Sequence, residues 1–414
     1  MFSAARDPGR SARKTSSTKW EAEEEPVKEY DPTRNGYLPV AIGDILGSRY
    51  KVVRKLGWGV YSTVWIAQDQ QEPGPTPTYA ALKVMTRVAT DAQDKLQELD
   101  FMRCIRDRSP QHTGYPHVIQ LRDHFYQQGP HGRHLCLAME VLLQDLRSFS
   151  LRFKHRVCPP FLVRLLARQV VLGLQYLHDE CNIIHTDVKP GNIMMVPPGD
   201  AEAFLAMTIP KLEATLETST EVAPDGTSIP RVHSRPIPYP LPDFYDMYSF
   251  NTWSGVEVKI GDVGVACWAD RTQQHFTDLI QTPPLRAPEV AIGAGWGKPA
   301  DIWVLGCTLY ELYMGRPIFG ANIDEKSVPT LHTQMLGDYP PELIARAKHR
   351  DEFFNSDGSL KRPPERRIAF DKAIRAREAP DAALFADFLH HTFVLDPDGR
   401  ATCRELLKHP WLNP

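Results

Sequence analysis

The pattern of hydrophobic and polar positions changes part-way along the chain. Between residues 49 and 142, short runs of β-branched and aromatic residues are separated by turn residues, which is typical of strands. One stretch, 91–106, instead has apolar residues at helical spacing. The predicted strands lie at 50–56, 60–66, 79–85, 118–125 and 134–142. The first part is therefore predicted to be a sheet with one main helix.

From residue 159 onward, helical spacing predominates. The predicted helices lie at 161–178, 299–314, 342–348, 381–392 and 402–408. A strand-rich part followed by a helical part predicts an α+β fold with two lobes.

Two segments do not follow this pattern. Residues 1–47 combine a basic, serine-rich run with an acidic run and have little to bury, so we expect a disordered tail. A mitochondrial transit peptide has similar composition, but Pro8 and Gly9 would break its helix. Residues 197–255 contain nine prolines and few sustained apolar runs, which predicts an insertion with one short helix at 201–206.

Charge and cysteine content narrow the class of protein. The 414 residues carry 48 basic and 51 acidic side chains, a net charge of −3. This balance favours neither direct nucleic-acid binding nor a membrane surface. No apolar run approaches the ~20 residues that span a bilayer. The seven cysteines are scattered and include no C-x-x-C pair, so we expect a reducing compartment, the cytoplasm or the nucleus.

Two features of the first part suggest phosphate binding. Gly57 and Gly59 lie between two predicted strands, where glycine lets backbone N–H groups approach phosphate oxygens, although a β-hairpin turn uses glycine too. Lys83 lies in an apolar strand, where its ammonium needs a partner, and Glu98 on the following helix is a candidate. A solvated edge lysine and a surface glutamate are the alternative.

Two features of the second part add catalytic and metal-binding groups. Asp187, Lys189 and Asn192 lie in one short loop, where a carboxylate can accept a hydroxyl proton and an ammonium can neutralise a transferred phosphate. The Asn192 carboxamide can ligate Mg²⁺. Asp262 follows a strand and precedes a flexible turn, which suits metal coordination, although Asp-x-Gly turns are common.

Taken in order, these motifs resemble those of a eukaryotic protein kinase. Residues 286–289 (Arg-Ala-Pro-Glu) resemble the A-P-E segment, and Arg400 lies where that family places the partner of the A-P-E glutamate, here Glu289. Residues 56–65, 185–187 and 409–412 resemble more closely the SR-protein kinases of the CMGC branch. The resemblance implies a kinase N-lobe at 48–142 and a C-lobe at 143–412 that contains the 197–255 insertion.

The resemblance also implies a role for each site residue. Asp187 is expected to be the catalytic base and Lys189 to stabilise the transferred phosphoryl group. Asn192 and Asp262 are expected to hold Mg²⁺, and Lys83 to contact ATP phosphates and pair with Glu98. The remaining residues are expected to bind ATP: Gly57, Gly59, Val64, Ala81, Met139, Glu140, Leu142 and Met194.

The function implied is ATP-dependent phosphorylation of serine and threonine in proteins, by a monomer that needs neither membrane nor nucleic acid. Arg/Ser-rich splicing factors are the substrates that the resemblance suggests. Three alternatives stay open: a pseudokinase scaffold, a Ser/Thr kinase with other substrates, and a small-molecule kinase. Two departures concern regulation and substrate binding. Thr186 replaces the usual arginine before the catalytic aspartate, and residues 324–336 contain only two acids where the family is acidic.

Overall fold

The structure is a computed structural model that describes residues 24–71, 76–213, 218–223, 225–241, 246 and 248–413. Its strands are β1 Ile45–Leu46, β2 Tyr50–Gly59, β3 Ser62–Asp69, β4 Tyr79–Met85, β5 Leu121–Gly129, β6 Gly132–Met139, β7 Ile183–Ile184, β8 Ile193–Met195, β9 Thr218–Val222, β10 Ser228–Val232, β11 Val258–Ile260 and β12 Cys267–Trp268.

The α-helices within the same residues are α1 Arg87–Asp91, α2 Gln93–Leu96, α3 Glu98–Asp107, α4 Leu146–Ser150, α5 Pro160–Gln175, α6 Ala201–Glu213, α7 Phe250–Trp253, α8 Pro288–Ala291, α9 Pro299–Met314, α10 Val328–Leu336, α11 Pro341–Arg346, α12 Arg350–Phe353, α13 Phe370–Arg375, α14 Ala382–Thr392 and α15 Cys403–Leu406. None of the helices in the described part of the chain is long and apolar enough to cross a bilayer.

The chain divides into two compact units. Unit 1 consists of the described parts of residues 1–96, 122–139 and 205–236. It is built on a six-stranded sheet of order β1-β2-β3-β4-β6-β5. All seven residues of β4, which pairs with β3 on one side and β6 on the other, are buried. Trp65, Leu82 and Ala138 on three neighbouring strands belong to the same buried cluster.

The described part of the expected tail is folded onto unit 1. Residues 27–30 form a 3₁₀ turn, and Tyr30 and Tyr37 are buried. The prediction of disorder for 1–47 is therefore wrong for residues 24–47, because the acids at 24 and 25 are paired with buried Lys55 instead of being solvated. Residues 1–23 lie outside the described residues.

The insertion is more ordered than its proline content predicts. The expected short helix is the longer α6, and β9 and β10 form an antiparallel hairpin. Ile229 and Val232 of β10 are buried, and Val232 packs into the cluster of the main sheet. Isolated apolar residues thus find burial here without a periodic pattern.

Unit 2 consists of residues 97–121, 140–204 and 237–414 in their described parts and is mainly helical. Its α9 is buried along almost its whole length. The helix ends at Gly315, which has a left-handed φ of 72°. A Cβ at Gly315 would lie 2.2 Å from the carbonyl oxygen of His155, so only glycine fits there.

The helix predicted at 91–106 is interrupted. The structure has α1, α2 and α3 in succession, with Gln97 in a left-handed conformation (φ 53°) just before α3. Glutamine is a good helix former, so its identity does not predict this break.

Candidate active site

The predicted site residues of unit 1 lie on one face of the sheet. Val64 of β3 is opposite Gly57 of β2 and also opposite Lys83 of β4. Ala81 lies two residues before Lys83 and is opposite Met139 of β6. Directly opposed residues, and residues two apart on a strand, point to the same side of a sheet. The register therefore places these five residues on a common face.

Residues 57–62, which comprise the end of β2, the turn and the first residue of β3, are called the glycine loop. A Cβ added at Gly57 or Gly59 would meet no described atom within 4 Å. Packing inside the described chain therefore does not demand glycine at either position. A close approach of another molecule to the backbone does provide such a reason.

The second part of the predicted site lies in unit 2, in the loop of residues 185–192. Lys189 Nζ donates to Asp187 Oδ2 at 2.6 Å. Asn192 Nδ2 donates to the same oxygen at 2.9 Å and to the Asp187 carbonyl oxygen at 2.9 Å. The three residues that the sequence predicted to act together are therefore in direct contact.

A buried carboxylate that the sequence analysis did not predict anchors this loop. Asp301, at the start of α9, is fully buried. It accepts the backbone N–H groups of His185 and Thr186, each at 2.7 Å, and His178 Nε2 at 2.8 Å. These bonds hold Thr186 at a positive φ of 70°, which is costly for a β-branched residue.

His185 adds a second anchor. Its Nδ1 accepts the backbone N–H of Asp187 at 3.2 Å, so its proton is on Nε2, which donates to the carbonyl oxygen of Gly261 at 2.8 Å. His185 therefore connects the loop of Asp187 to the residue before Asp262.

Asp262 follows β11, which pairs with β8 next to Asn192. The register places Ile260 opposite Ile193, and Gly261 N–H donates to the Asn192 carbonyl oxygen at 2.8 Å. Asp262 itself has a left-handed φ of 56°. Two short paired strands thus bring the two predicted metal ligands onto adjacent segments.

Residues 140–143 join the same part of unit 2. Leu143 N–H donates to the Met195 carbonyl oxygen at 2.8 Å, beside Met194. The Glu140 carboxylate accepts Lys259 Nζ at 2.7 and 2.8 Å. Leu142 is buried. The carboxylate of Glu140 is therefore engaged within unit 2.

Lys83 and Glu98 are both buried, Lys83 in unit 1 and Glu98 at the first position of α3 in unit 2. Burial agrees with the expectation that each needs a partner of opposite charge. Their mutual ion pair stays a prediction.

Thr186 has a structural role that its sequence position alone did not predict. Its hydroxyl donates to the carbonyl oxygen of Val265 at 2.8 Å. Val265 lies two residues after Val263, which is fully buried. The threonine thus links the 185–192 loop directly to the segment after Asp262.

The described residues contain one further group of possible metal ligands, Asp387, His391 and His409. His409 Nδ1 accepts the backbone N–H of Trp411 at 3.1 Å, and burial lowers the pKa of His409. In the neutral ring the proton is therefore on Nε2, which faces Asp387 Oδ2 at 3.1 Å. This nitrogen donates a hydrogen bond to Asp387 in this arrangement, so the geometry does not support a metal site in this group.

Comparison with known proteins agrees with this arrangement. The protein kinase domain family matches residues 50–205 and 249–412, which is most of the chain. A solved crystal structure of a kinase domain matches with a TM-score of 0.64 at 22% identity, over 91% of this chain and 98% of that one. The chain therefore belongs to the protein kinase family and has its fold.

More specific relatives are serine/threonine kinases. The chain is 31% identical to the serine/threonine-protein kinase SRPK of Physarum polycephalum, over 95% of this chain and 92% of that protein. It is 28% identical to human SRSF protein kinase 3, over 95% and 91%, and 28% identical to the protein kinase dsk1 of Schizosaccharomyces pombe, over 91% and 83%. The chain is thus a serine/threonine-protein kinase of the SR-protein kinase type.

Proposed function

We propose that the chain transfers the γ-phosphate of ATP to serine and threonine hydroxyls with Asp187 as the catalytic base. The observation that carries this proposal is the Asp187 carboxylate held by Lys189 and Asn192. With Oδ2 engaged by both donors, Oδ1 is left to accept the proton of a substrate hydroxyl. Lys189 is then placed to neutralise the phosphoryl group as it reaches that hydroxyl.

Asn192 and Asp262 are proposed to hold Mg²⁺. Both hydrogen bonds from the Asn192 amide nitrogen go to Asp187, which directs the carboxamide oxygen away from that residue. A carboxamide oxygen and a carboxylate are suitable ligands for this cation. A bound Mg²⁺ would supply positive charge that offsets the charge of the ATP phosphates.

The ATP site is proposed to use the residues named from the sequence. Gly57 and Gly59 would cover the phosphates, and Lys83, oriented by Glu98, would contact them. The open space around the two glycines supports the first role, and the burial of Lys83 and Glu98 supports the second. The apolar residues proposed to contact adenine are Val64, Ala81, Met139, Leu142 and Met194. Glu140 would contact adenine through its main chain, since its carboxylate binds Lys259.

Replacing Asp187 with asparagine tests the catalytic proposal. Asparagine keeps the size of the side chain and can still accept from Lys189, but it cannot take a proton. We expect turnover to fall about 10²–10⁴-fold while the affinity for ATP and the melting temperature stay near those of the wild type. Near wild-type turnover would show that Asp187 is not the base, and would also favour reassigning the whole loop.

The proposed protein substrates are Arg/Ser-rich segments, as the names of the SRSF protein kinases suggest for those relatives. A second substrate class, acidic or phosphorylated peptides, is favoured by one observation. A groove of about 180 Å³ in unit 2 is lined by Lys326, Lys361 and Arg362 but by only one acid, Glu352. A groove that binds arginine-rich peptides would be expected to carry carboxylates instead.

Phosphorylation of a peptide array distinguishes the two classes. Arg/Ser repeats, acidic peptides and proline-directed peptides are compared, with the Asp187→Asn protein as the blank. Preference for Arg/Ser repeats supports the first class, and preference for acidic peptides supports the second.

Localisation in the cytoplasm or nucleus and action as a monomer remain part of the proposal.

A further inference from the structure

The tip of the glycine loop is exposed, yet its backbone accepts a hydrogen bond from one buried side chain, that of Tyr37. Val60 is 54% exposed. The hydroxyl of Tyr37 donates to the Gly59 carbonyl oxygen at 2.6 Å and lies 3.1 Å from that of Val60. A residue twenty-two positions earlier in the chain thus contacts the two carbonyls at the tip.

Tyr37 is suited to act as a permanent donor. Its side chain is buried, and burial, together with the nearby charges of Glu25 and Glu29, raises its pKa well above the ordinary value of 10. The hydroxyl therefore keeps its proton at neutral and moderately alkaline pH. A backbone carbonyl is an acceptor only, so the direction of this hydrogen bond is fixed.

The ring of Tyr37 is fixed by parts of the chain that lie outside the family match. It packs against Tyr30 with ring centroids 5.5 Å apart. Tyr30 and Tyr37 form one buried cluster with Ala223 and Ile229 of the insertion. The family match covers residues 50–205 and 249–412 and includes none of these four.

The backbone beside Tyr37 is tied to unit 1 as well. Gly36 N–H donates to the Glu29 carbonyl oxygen at 2.9 Å, and Arg87 N–H donates to the Gly36 carbonyl oxygen at 2.9 Å. The Arg87 guanidinium donates to the Pro32 carbonyl oxygen at 2.7 Å. The position of the Tyr37 hydroxyl is therefore set by both its ring and its backbone.

We propose that Tyr37 is a positioning residue that orders the glycine loop and thereby strengthens nucleotide binding. It acts through Gly59 and does not itself touch the nucleotide. Residues 24–40, called the N-terminal support, and the hairpin β9–β10 hold it in place. The inference rests on the proposed function in that the glycine loop is taken to cover the phosphates of ATP.

Tyr37→Phe removes the hydroxyl and keeps the ring. Tyr30→Phe is the matched control, because its hydroxyl lies in the same cluster but donates to Glu25 and not to the loop. Hydrogen–deuterium exchange of the full chain without nucleotide is measured for amides 57–61. We expect exchange there to be about three- to tenfold faster in Tyr37→Phe, the factor that one lost hydrogen bond implies, and near wild type in Tyr30→Phe.

The KM for ATP is then measured for the same three proteins. We expect it to rise about three- to tenfold in Tyr37→Phe with a smaller change in kcat, and to stay within about twofold in Tyr30→Phe. Equal loop exchange in the two variants would overturn the contact. Faster exchange with an unchanged KM would overturn the link to nucleotide binding.

Failure of this inference is distinguishable from failure of the proposed function. The exchange measurement needs no nucleotide, so it reports on the Tyr37 contact even if the wild-type protein did not turn over ATP. Absence of wild-type turnover would instead remove the proposed function.

Discussion

Each unit contains a buried ion pair, and the two pairs differ in what they connect. In unit 2, Arg400 and Glu289 are fully buried and form two parallel hydrogen bonds of 2.8 and 2.9 Å. In unit 1, buried Lys55 donates to Glu24 at 2.7 Å and also to Glu25. The first pair lies entirely within the residues matched by the protein kinase family. The second joins a matched strand to a segment that precedes the match.

The two pairs also differ in the other groups that satisfy their charges. The Arg400 guanidinium also donates to the carbonyl oxygens of Pro299 and Val394, so its fork is satisfied by fixed backbone. The unit 1 cluster depends on a second cation, since Arg231 of the insertion lies 3.7 Å from Glu25. Arg231 also pairs with Glu221 of β9 at 3.1 Å, so Lys55 is the cation that contacts both Glu24 and Glu25. The unit 2 pair thus lies within the residues that the protein kinase family matches, whereas the charges that hold the N-terminal support lie partly outside that match.

The largest effect is expected when the unit 2 pair is broken. Arg400→Met leaves the carboxylate of Glu289 buried without its partner, which costs about 3–5 kcal/mol. The free energy of unfolding, measured by urea denaturation, should fall by that amount. The control is Arg404→Met. Arg404 forms an exposed ion pair with Asp179 at 3.4 Å, and such a surface pair contributes at most about 1 kcal/mol. Similar losses in both variants would show that the buried pair is not special.

The two pairs also differ in how far the sequence predicts them. The pairing of Arg400 with Glu289 was predicted from the family resemblance and is confirmed. Lys55 is buried, so the rule that made Lys83 notable applies to it, but its strand also contains Lys51 and Arg54 and does not reveal that burial in the sequence. The rule says that a partner exists but does not identify it. Glu24 and Glu25 lie in an acidic run that, taken alone, is typical of a solvated tail.

The candidate site divides in a similar way. Contact of Asp187 with Lys189 and Asn192 could be predicted, because a short loop keeps them together. Asp301 could not, because its bonds to the 185–192 loop span more than a hundred positions in the chain. An aspartate at the first turn of a helix is common for local reasons, so its sequence carries no signal of this distant role.

A smaller and more local effect is expected when the unit 1 cluster is broken. Lys55→Met leaves Glu24 and Glu25 with insufficient positive charge. The N-terminal support can undock and return both carboxylates to water, which limits the cost to about 1–3 kcal/mol. We expect amides 24–40 to lose protection from hydrogen exchange while amides in α9 keep theirs.

The control for this change is Lys51→Met, which alters an exposed lysine of the same strand. The pH dependence provides a second check. Burial raises the pKa of Glu24, but hydrogen bonds from Lys55 and Ser234 outweigh it, so the net pKa is below 4.5. The contribution of Glu24 should therefore be complete above pH 4.5 and be lost as the pH falls through the lower, folded-state pKa. Loss of support protection already at neutral pH in the wild type would contradict the role of the cluster.

The smallest effect, no change, is expected when phosphate is removed from the enzyme. Thr186 stands where a guanidinium would receive a phosphate from residues 263–288, so that segment has to be ordered by its own contacts. Such contacts are present. Trp268 packs on Phe101 with centroids 4.8 Å apart, and its Nε1 donates to Gln97 at 2.7 Å. The hydroxyl of Thr186 bonds to Val265 in the same segment.

Enzyme made in bacteria and treated with phosphatase should therefore have the same kcat and KM as untreated enzyme, within about twofold. The informative variant is Thr186→Val, which keeps the shape of the side chain and removes its hydrogen bond to Val265, at a cost of about 1 kcal/mol. It should loosen the segment and lower activity without creating a need for phosphate. A large rise in wild-type activity after an upstream kinase modifies Thr272, Thr277 or Thr282 would contradict this prediction. It would mean that the contacts of unit 2 do not suffice to order the segment. It would also mean that the phosphate pairs with a cation at a position other than 186.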